Sequence, residues 1–383
     1  MAERASLDWP FFEPKHRAVA EKFGTWCAAN PVDTDGDLDA ECRRLVKSLG
    51  DAGLLAMCVA QGAQRPDVRS LAIAREALAH HNALADFAFA MQGLGSGAIS
   101  LFGGAEQKAR WLPKVADGSA IAAFAMTEPT SGSDAANIAT TATRDGDDWV
   151  ITGEKTYVSN GGIADFYVTF ARTGEGEGAK GLSAFIVPAD ATGLTVAERI
   201  HVVAPHPLAR LKYDNVRVPG EALIGAPGAG FRIGMEVLNL FRVTVAAAAL
   251  GLARRALDEA LAFTSGRRLG PATLADNAVT QSKLADMVCA IDASALLIAR
   301  AAWQQDTQAG DNRRPAAMAK LFTTEAAQKI IDDAVQLHGG AGVTRGVTVE
   351  HLYRDIRALR IYEGASEVQR QIIARDLLKE FRT

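Results

Sequence analysis

Residues 145–162 read DGDDWVITGEKTYVSNGG. β-formers alternate here with turn residues, a pattern of short strands rather than of a helix. The same texture continues downstream. ADFYVTFART (164–173), GLSAFIVPAD (181–190) and ARLKYDNVRVP (209–219) are β-rich runs separated by Gly, Pro and Asp. Together they predict a small all-β domain over residues 121–228.

The flanks differ in character. Upstream, LDAECRRLVKSLGDAGLLAM (38–57) carries apolar residues at helical spacing. The stretch from Val68 to Gly103 is Ala- and Leu-rich over a length no strand uses. Residues 1–120 are therefore predicted as an N-terminal helical domain. Downstream, residues 233–265, 278–310 and 314–340 read as long helices joined by short loops. That predicts an antiparallel bundle over residues 229–383. The expected fold class is mainly α with a central β domain.

The totals suit a soluble protein of two or three domains: 383 residues, 48% hydrophobic and 22% charged. A net charge of −4 gives no electrostatic reason to expect nucleic acid or an anionic membrane as partner. The four cysteines form no CxxC, so neither a disulfide framework nor a metal site is expected, and the reducing cytoplasm fits best. The start, MAERASLDWPFFEPKHR, has no apolar signal core. No apolar run is read as long enough to span a membrane; VTVAAAALGLA (243–253) ends at Arg254 and Arg255.

Five segments could carry chemistry. AFAMTEPTSGSD (123–134) cannot continue a helix or a central strand, so it leaves backbone N–H groups and hydroxyls for a polar ligand edge. A plain turn is the competing reading. Tyr157 and Ser159, two apart on a strand, share a face that could line a flat heteroaromatic ligand or simply be half-buried. Asn239 and Arg242 share a helix face, and Arg242 is the only charge between Glu236 and Arg254. Its guanidinium needs a partner, either an anionic or carbonyl-bearing ligand or a buried structural pair. VQLHGGAG (335–342) breaks a helix with glycines, and His338 reads as a satisfied core histidine. RIYEGASEVQR (360–370) places Glu363 and Gly364 just before a helix whose Ser366 and Gln369 fit a capping box. Glu363 is thus presented by an irregular turn.

These segments together resemble the acyl-CoA dehydrogenase family. FGGAEQKARWLPKVADGS, AMTEPTSGSD, YVSNGG, YDNVRVP, LHGGAGV and IYEGASEVQR occur in the family's order and spacing over nearly all of the chain. The resemblance implies an N-terminal helical domain, a middle β domain (barrel or sandwich) and a C-terminal four-helix bundle. It implies FAD, a homotetramer, an acyl-CoA substrate and an electron-transfer flavoprotein as partner. Glu363 matches the family's catalytic base. Some members keep the base on the earlier long helix, where this chain has Phe241. Phe124, Met126 and Thr127 match the segment that meets the flavin ring. Ser133 matches a serine near the pyrophosphate and the thioester ligand. Tyr157 and Ser159 match residues against the isoalloxazine. Asn239 and Arg242 match acyl-CoA contacts, and Gly364 lets the backbone pass close to that ligand. Arg267 and Gln336 to Gly340, including Gly339, match residues that reach FAD across a subunit interface. Glu367, also expected on the cofactor side, stands where the family often has Gln. Gly270 and Pro271 replace Phe-Gly, VVAPHPLAR (202–210) replaces a Gly-x-Arg-Ser region, and Ala365 replaces Thr.

The chemistry is coherent. Removing the α-hydrogen of a thioester needs a positioned base and stabilisation of the developing enolate. Glu363, between apolar neighbours, is expected to have a raised pKa. The resemblance implies that its backbone N–H and a flavin hydroxyl donate to the thioester oxygen. An acyl-CoA oxidase, a dehydrogenase of carrier-protein-bound acyl groups and a non-catalytic acyl-CoA-binding protein are the alternatives.

Overall fold

The computed structural model describes residues 5–60, 62, 64–308 and 312–382. In chain order the helices are α1 (Pro14–Ala29), α2 (Leu38–Asp51), α3 (Val68–His81), α4 (Ala83–Phe102) and α5 (Ala105–Ala116). Eight strands follow: β1 (Ala122–Ala125), β2 (Thr141–Asp145), β3 (Asp148–Ser159), β4 (Phe166–Arg172), β5 (Leu182–Pro188), β6 (Leu194–Arg199), β7 (Leu208–Pro219) and β8 (Leu223–Ile224). Then come α6 (Gly230–Gly266), the short strands β9 (Arg268–Leu269) and β10 (Ala272–Thr273), α7 (Ala278–Asp306), α8 (Arg313–His338), α9 (Thr348–Leu359) and α10 (Ser366–Arg382). The class is mainly α with a central sheet, as expected.

The chain divides into two compact units. One comprises Val32–Pro66 and Phe87–Leu238 and holds the sheet. The strand order is β6-β7-β3-β2-β4-β5-β8, with β1 paired in parallel on β4. Almost all residues of β4 and β5 are buried, which explains their near-continuous apolar runs. α4 lies close to β1: a Cβ on Gly95 would come 2.7 Å from the Ala122 backbone, so only glycine fits there.

The other unit comprises Met1–Pro31, Asp67–Asp86 and Asn239–Thr383. Here α7 packs on α8 and α3, and α9 and α10 pack on α8. Its core includes Phe23, Leu71, Leu78, Ile330, Ile331 and Ile356. The alanine run of α6 (Ala246–Ala249) is wholly buried. Small residues let α6 approach α3, and a Cβ on Gly251 would stand 2.3 Å from the Glu76 carbonyl oxygen. Asp306 closes the N-terminus of α3, accepting from the Val68 and Arg69 N–H groups and from Arg69 Nε.

α6 corrects one expectation. By length and composition it is apolar enough to cross a membrane, and 78% of that window is buried within the protein. It reads as a core helix.

Candidate active site

The sheet unit carries the first group of site residues. β1 ends at Ala125, and the next residues leave the ladder. Phe124 packs its ring against Phe170 at 4.8 Å, Met126 is buried, and Thr127 is half-buried. The Thr127 carbonyl accepts from the Thr156 N–H (2.9 Å), while its own N–H makes no backbone bond among the described residues. Beneath this segment Lys155 Nζ donates to the Met126 carbonyl (3.1 Å) and to Glu128 Oε1 (2.7 Å). Glu128 also accepts from the Ala139 and Thr140 N–H groups. Burial pushes the Lys155 ammonium down to about 8. Burial alone would raise the Glu128 carboxyl, but Lys155 and the N–H donors outweigh it and hold the group below its usual value.

Tyr157 and Ser159 depart from simple strand alternation. The β3–β7 register shifts between Lys155 and Val158, and Tyr157 sits at φ +51°. Tyr157 is 62% exposed, while Ser159 is half-buried. An exposed aromatic on strained backbone suits a ligand platform better than a core face. Ser133 is exposed in the following loop.

The helical unit carries the second group. Glu363 occupies the turn between α9 and α10 at φ +53°, followed by Gly364 at φ +90°. Although the residue as a whole is partly exposed, the carboxyl Oε2 is buried and has no partner among the described residues. Burial raises the carboxyl above its ordinary range, and Arg75, Lys320 and Arg242 pull it partly back. Arg242 is 7% exposed, its Nε is buried without a partner, and it makes no hydrogen bond or salt bridge among the described residues. Burial lowers its pKa, and the nearby Glu363 charge opposes that. A Cβ on Gly364 would stand 3.9 Å from Arg242 Nε. Asn239 Oδ1 is buried and unpaired too. Of the two partners considered for Arg242, a structural ion pair is therefore not made, and the unpaired buried groups comprise one donor, Arg242 Nε, and two acceptors, Asn239 Oδ1 and Glu363 Oε2, that a polar ligand could satisfy.

The capping-box expectation fails in detail. Ser366 donates to Glu325 Oε1 (2.5 Å), and Gln369 Nε2 donates to the Gly364 carbonyl (2.8 Å). The serine is already the first helical residue, so its hydroxyl reaches across to α8 instead of capping. His338 is satisfied as expected: Nδ1 meets the Ala334 carbonyl at 2.8 Å, and its ring stacks on Phe263 at 4.2 Å.

Arg267, Gln336, Gly339, Gly340 and Glu367 are all exposed and do not join the Glu363 cluster. A Cβ on Gly339 or Gly340 would meet nothing within 4 Å. Gly270 and Pro271 form the tip of the β9–β10 hairpin.

Three buried ionic groups near these sites were missed in the sequence. Arg75 makes a bidentate pair with Asp86 (2.8 and 2.7 Å) and donates to Thr244 Oγ1. Lys320, 1% exposed, donates to the Tyr362 (2.6 Å) and Gly364 (2.5 Å) carbonyls. Lys155 is the third. Lys320 had the same signal as Arg242, a lone charge in an apolar stretch, PAAMAKLF (315–322).

Comparison with known proteins identifies the family and the fold. Residues 13–119, 123–216 and 228–378 match the N-terminal, middle and C-terminal domains of acyl-CoA dehydrogenases. The bovine mitochondrial short-chain specific acyl-CoA dehydrogenase is 39% identical over 347 residues, covering 88% of this chain and 83% of that protein. The structure of butyryl-CoA dehydrogenase from Megasphaera elsdenii superposes with a TM-score of 0.90 at 29% identity, covering 96% of this chain and 99% of that one. A glutaryl-CoA dehydrogenase from Mycobacterium smegmatis, solved in complex with FADH2, gives a TM-score of 0.88 at 28% identity over 96% and 95% of the two chains. The chain belongs to the acyl-CoA dehydrogenase family, with that family's three-domain architecture, and is an FAD-dependent oxidoreductase acting on acyl-CoA.

Proposed function

We propose that the protein catalyses α,β-dehydrogenation of an acyl-CoA thioester with Glu363 as the base. The observation that carries this is the buried, unpartnered Glu363 Oε2 on a positive-φ turn. A carboxylate with a raised pKa and little competing water is a stronger base toward a weak carbon acid. The α-proton passes to a Glu363 oxygen. The Glu363 N–H donates to the thioester carbonyl oxygen as negative charge develops there. Arg242 and Asn239 hold polar atoms of the acyl-CoA, which pairs their buried groups.

In the sheet unit, the exposed Tyr157 ring and the unbonded Thr127 N–H fit a flavin, one as an apolar platform and the other as a donor. Phe124, Met126, Thr127, Tyr157 and Ser159 hold the ring system, with Ser133 toward the pyrophosphate. Bound FAD supplies the acceptor for the β-hydrogen, which leaves as hydride. Arg267, Gln336, Gly339, Gly340 and Glu367 serve FAD from a neighbouring subunit of a homotetramer. Their exposure in the single chain supports that assignment. An electron-transfer flavoprotein then takes the electrons, as in the family this chain resembles.

Anaerobic mixing of the FAD-loaded protein with a panel of acyl-CoAs tests the reading, with flavin absorbance as readout. Butyryl-CoA is the first probe because a 39% identical relative is a short-chain enzyme. Bleaching by at least one acyl-CoA is expected; no bleaching by any chain length would overturn it.

A further inference from the structure

Lys320 lies where a lysine is costly, at 1% exposure on α8. Its Nζ donates to the carbonyls on either side of Glu363, those of Tyr362 (2.6 Å) and Gly364 (2.5 Å). Gln369 Nε2 supports the same turn from α10, reaching the Gly364 carbonyl at 2.8 Å and the Glu363 carbonyl at 3.5 Å. All three successive carbonyls thus face buried donors. None of the peptide bonds among the described residues is cis. In a trans peptide the N–H points opposite to the C=O of the same plane. Holding the Tyr362 carbonyl toward Lys320 therefore aims the Glu363 N–H away from the α8 interior. That N–H has no hydrogen-bond partner among the described residues.

Resting on the reading of Glu363 as base, we propose that Lys320 is a positioning residue: it fixes the peptide plane that presents the Glu363 N–H to the thioester oxygen and anchors the turn that carries the carboxylate. The ammonium also contributes a charge. The groups facing the Glu363 carboxyl are Arg75 from α3, Asp86 from α4, Arg242 from α6 and Lys320 from α8. Asp86 opposes ionisation and the three cations favour it. Lys320 itself is pushed down to about 8 by burial, held up by Glu363 and lowered further by Arg242. A merely structural lysine would leave the donor geometry of the Glu363 N–H untouched.

The test uses FAD-loaded Lys320→Met with two ligands. Butyryl-CoA reports ground-state binding and flavin reduction. Acetoacetyl-CoA, whose acidic α-carbon forms an enolate without hydride transfer, reports stabilisation of negative charge on the thioester oxygen. Flavin reduction is expected to fall about 10- to 100-fold, less than the roughly 10²–10³-fold for deleting an oxyanion donor outright. The rising limb of its pH profile should move to higher pH, because a cation that favours ionised Glu363 is gone. Any preference for acetoacetyl-CoA over butyryl-CoA should shrink, with butyryl-CoA affinity and FAD content retained. Wild-type rate, limb and preference in Lys320→Met would overturn the proposal. If that variant does not accumulate folded, Lys320→Gln decides. Its amide, one bond shorter, can still donate to a carbonyl of the turn but carries no charge, so the limb should move up while part of the rate survives. An unmoved limb, or a rate and acetoacetyl-CoA preference at wild-type values, overturns the proposal. Failure of the underlying reading shows separately, as wild-type flavin reduction in Glu363→Gln whatever the Lys320 variants do.

Discussion

Lys155 Nζ lies 2.7 Å from Glu128 Oε1, with the two side chains 0% and 3% exposed. The ammonium also holds the Met126 carbonyl, so one buried pair ties β3 to the segment that follows β1. Lys155→Met leaves an unpaired carboxylate and should cost about 3–5 kcal/mol in urea unfolding. The double variant Lys155→Met/Glu128→Gln should recover part of that, because the amide oxygen still accepts from Ala139 and Thr140. If Lys155→Met unfolds at the wild-type midpoint, the pair is not a structural tie.

Glu363→Gln is nearly isosteric and should keep fold, FAD and acyl-CoA binding. It cannot accept the α-proton, so flavin reduction should fall by about 10²–10⁴-fold in rapid-mixing absorbance. A wild-type rate would make Glu363 an ordinary turn carboxylate.

The raised carboxyl sets a pH dependence. Only ionised Glu363 accepts a proton, so flavin reduction should rise with pH through a value above the usual carboxylate pKa of about 4.3. Arg242 favours the ionised form. Arg242→Ala should therefore move that limb to higher pH and weaken acyl-CoA binding as well. A limb that moves down would contradict the assigned electrostatics.

Gly364→Ala tests the turn. Its backbone is at φ +90°, and the new Cβ would come 2.6 Å from Gln369 Nε2. Gln369 is buried against the same turn, so relief requires its amide to leave the Gly364 carbonyl that it holds or the Glu363 peptide to shift. Flavin reduction should drop about tenfold or more, since small misplacements at a reacting centre are costly. FAD content should not change. Unimpaired reduction would show that the turn tolerates displacement.

Oligomeric state can be read by light scattering. A tetramer of the 40.5 kDa chain is expected, and Arg267→Ala should loosen FAD without unfolding the subunit. An active, FAD-loaded monomer would exclude cross-subunit service to the cofactor.

The architecture was readable because its signals are local. Turn residues punctuate residues 145–219, and apolar spacing persists over α3, α6, α7 and α8. Glu363 was readable as a turn residue from Gly364 and Ser366, even though the hydroxyl caps nothing. Arg242 stood out as a lone charge. The partners of the other buried ions were hidden because tertiary folding alone brings them together. Lys320 meets carbonyls 42 and 44 residues away, and Lys155 meets Glu128 across 27. The bulge that exposes Tyr157 was hidden for a related reason, since register is a property of two strands.

The two buried lysines bear on how the protein survives its own substrate. A thioester acylates neutral amines, and an amine with a pKa near 8 is appreciably neutral at physiological pH. Within the fold, Lys155 and Lys320 are therefore amines whose lowered pKa would favour stray acyl transfer, and the same burial that lowers it keeps the thioester away. Both are enclosed, at 0% and 1% exposure, with their hydrogens directed at fixed carbonyls. The burial that weakens each lysine as a cation also shields it as a nucleophile, so intact protein held in acyl-CoA should keep both amines unacylated, and unfolding that exposes them also returns each to an ordinary, largely protonated lysine.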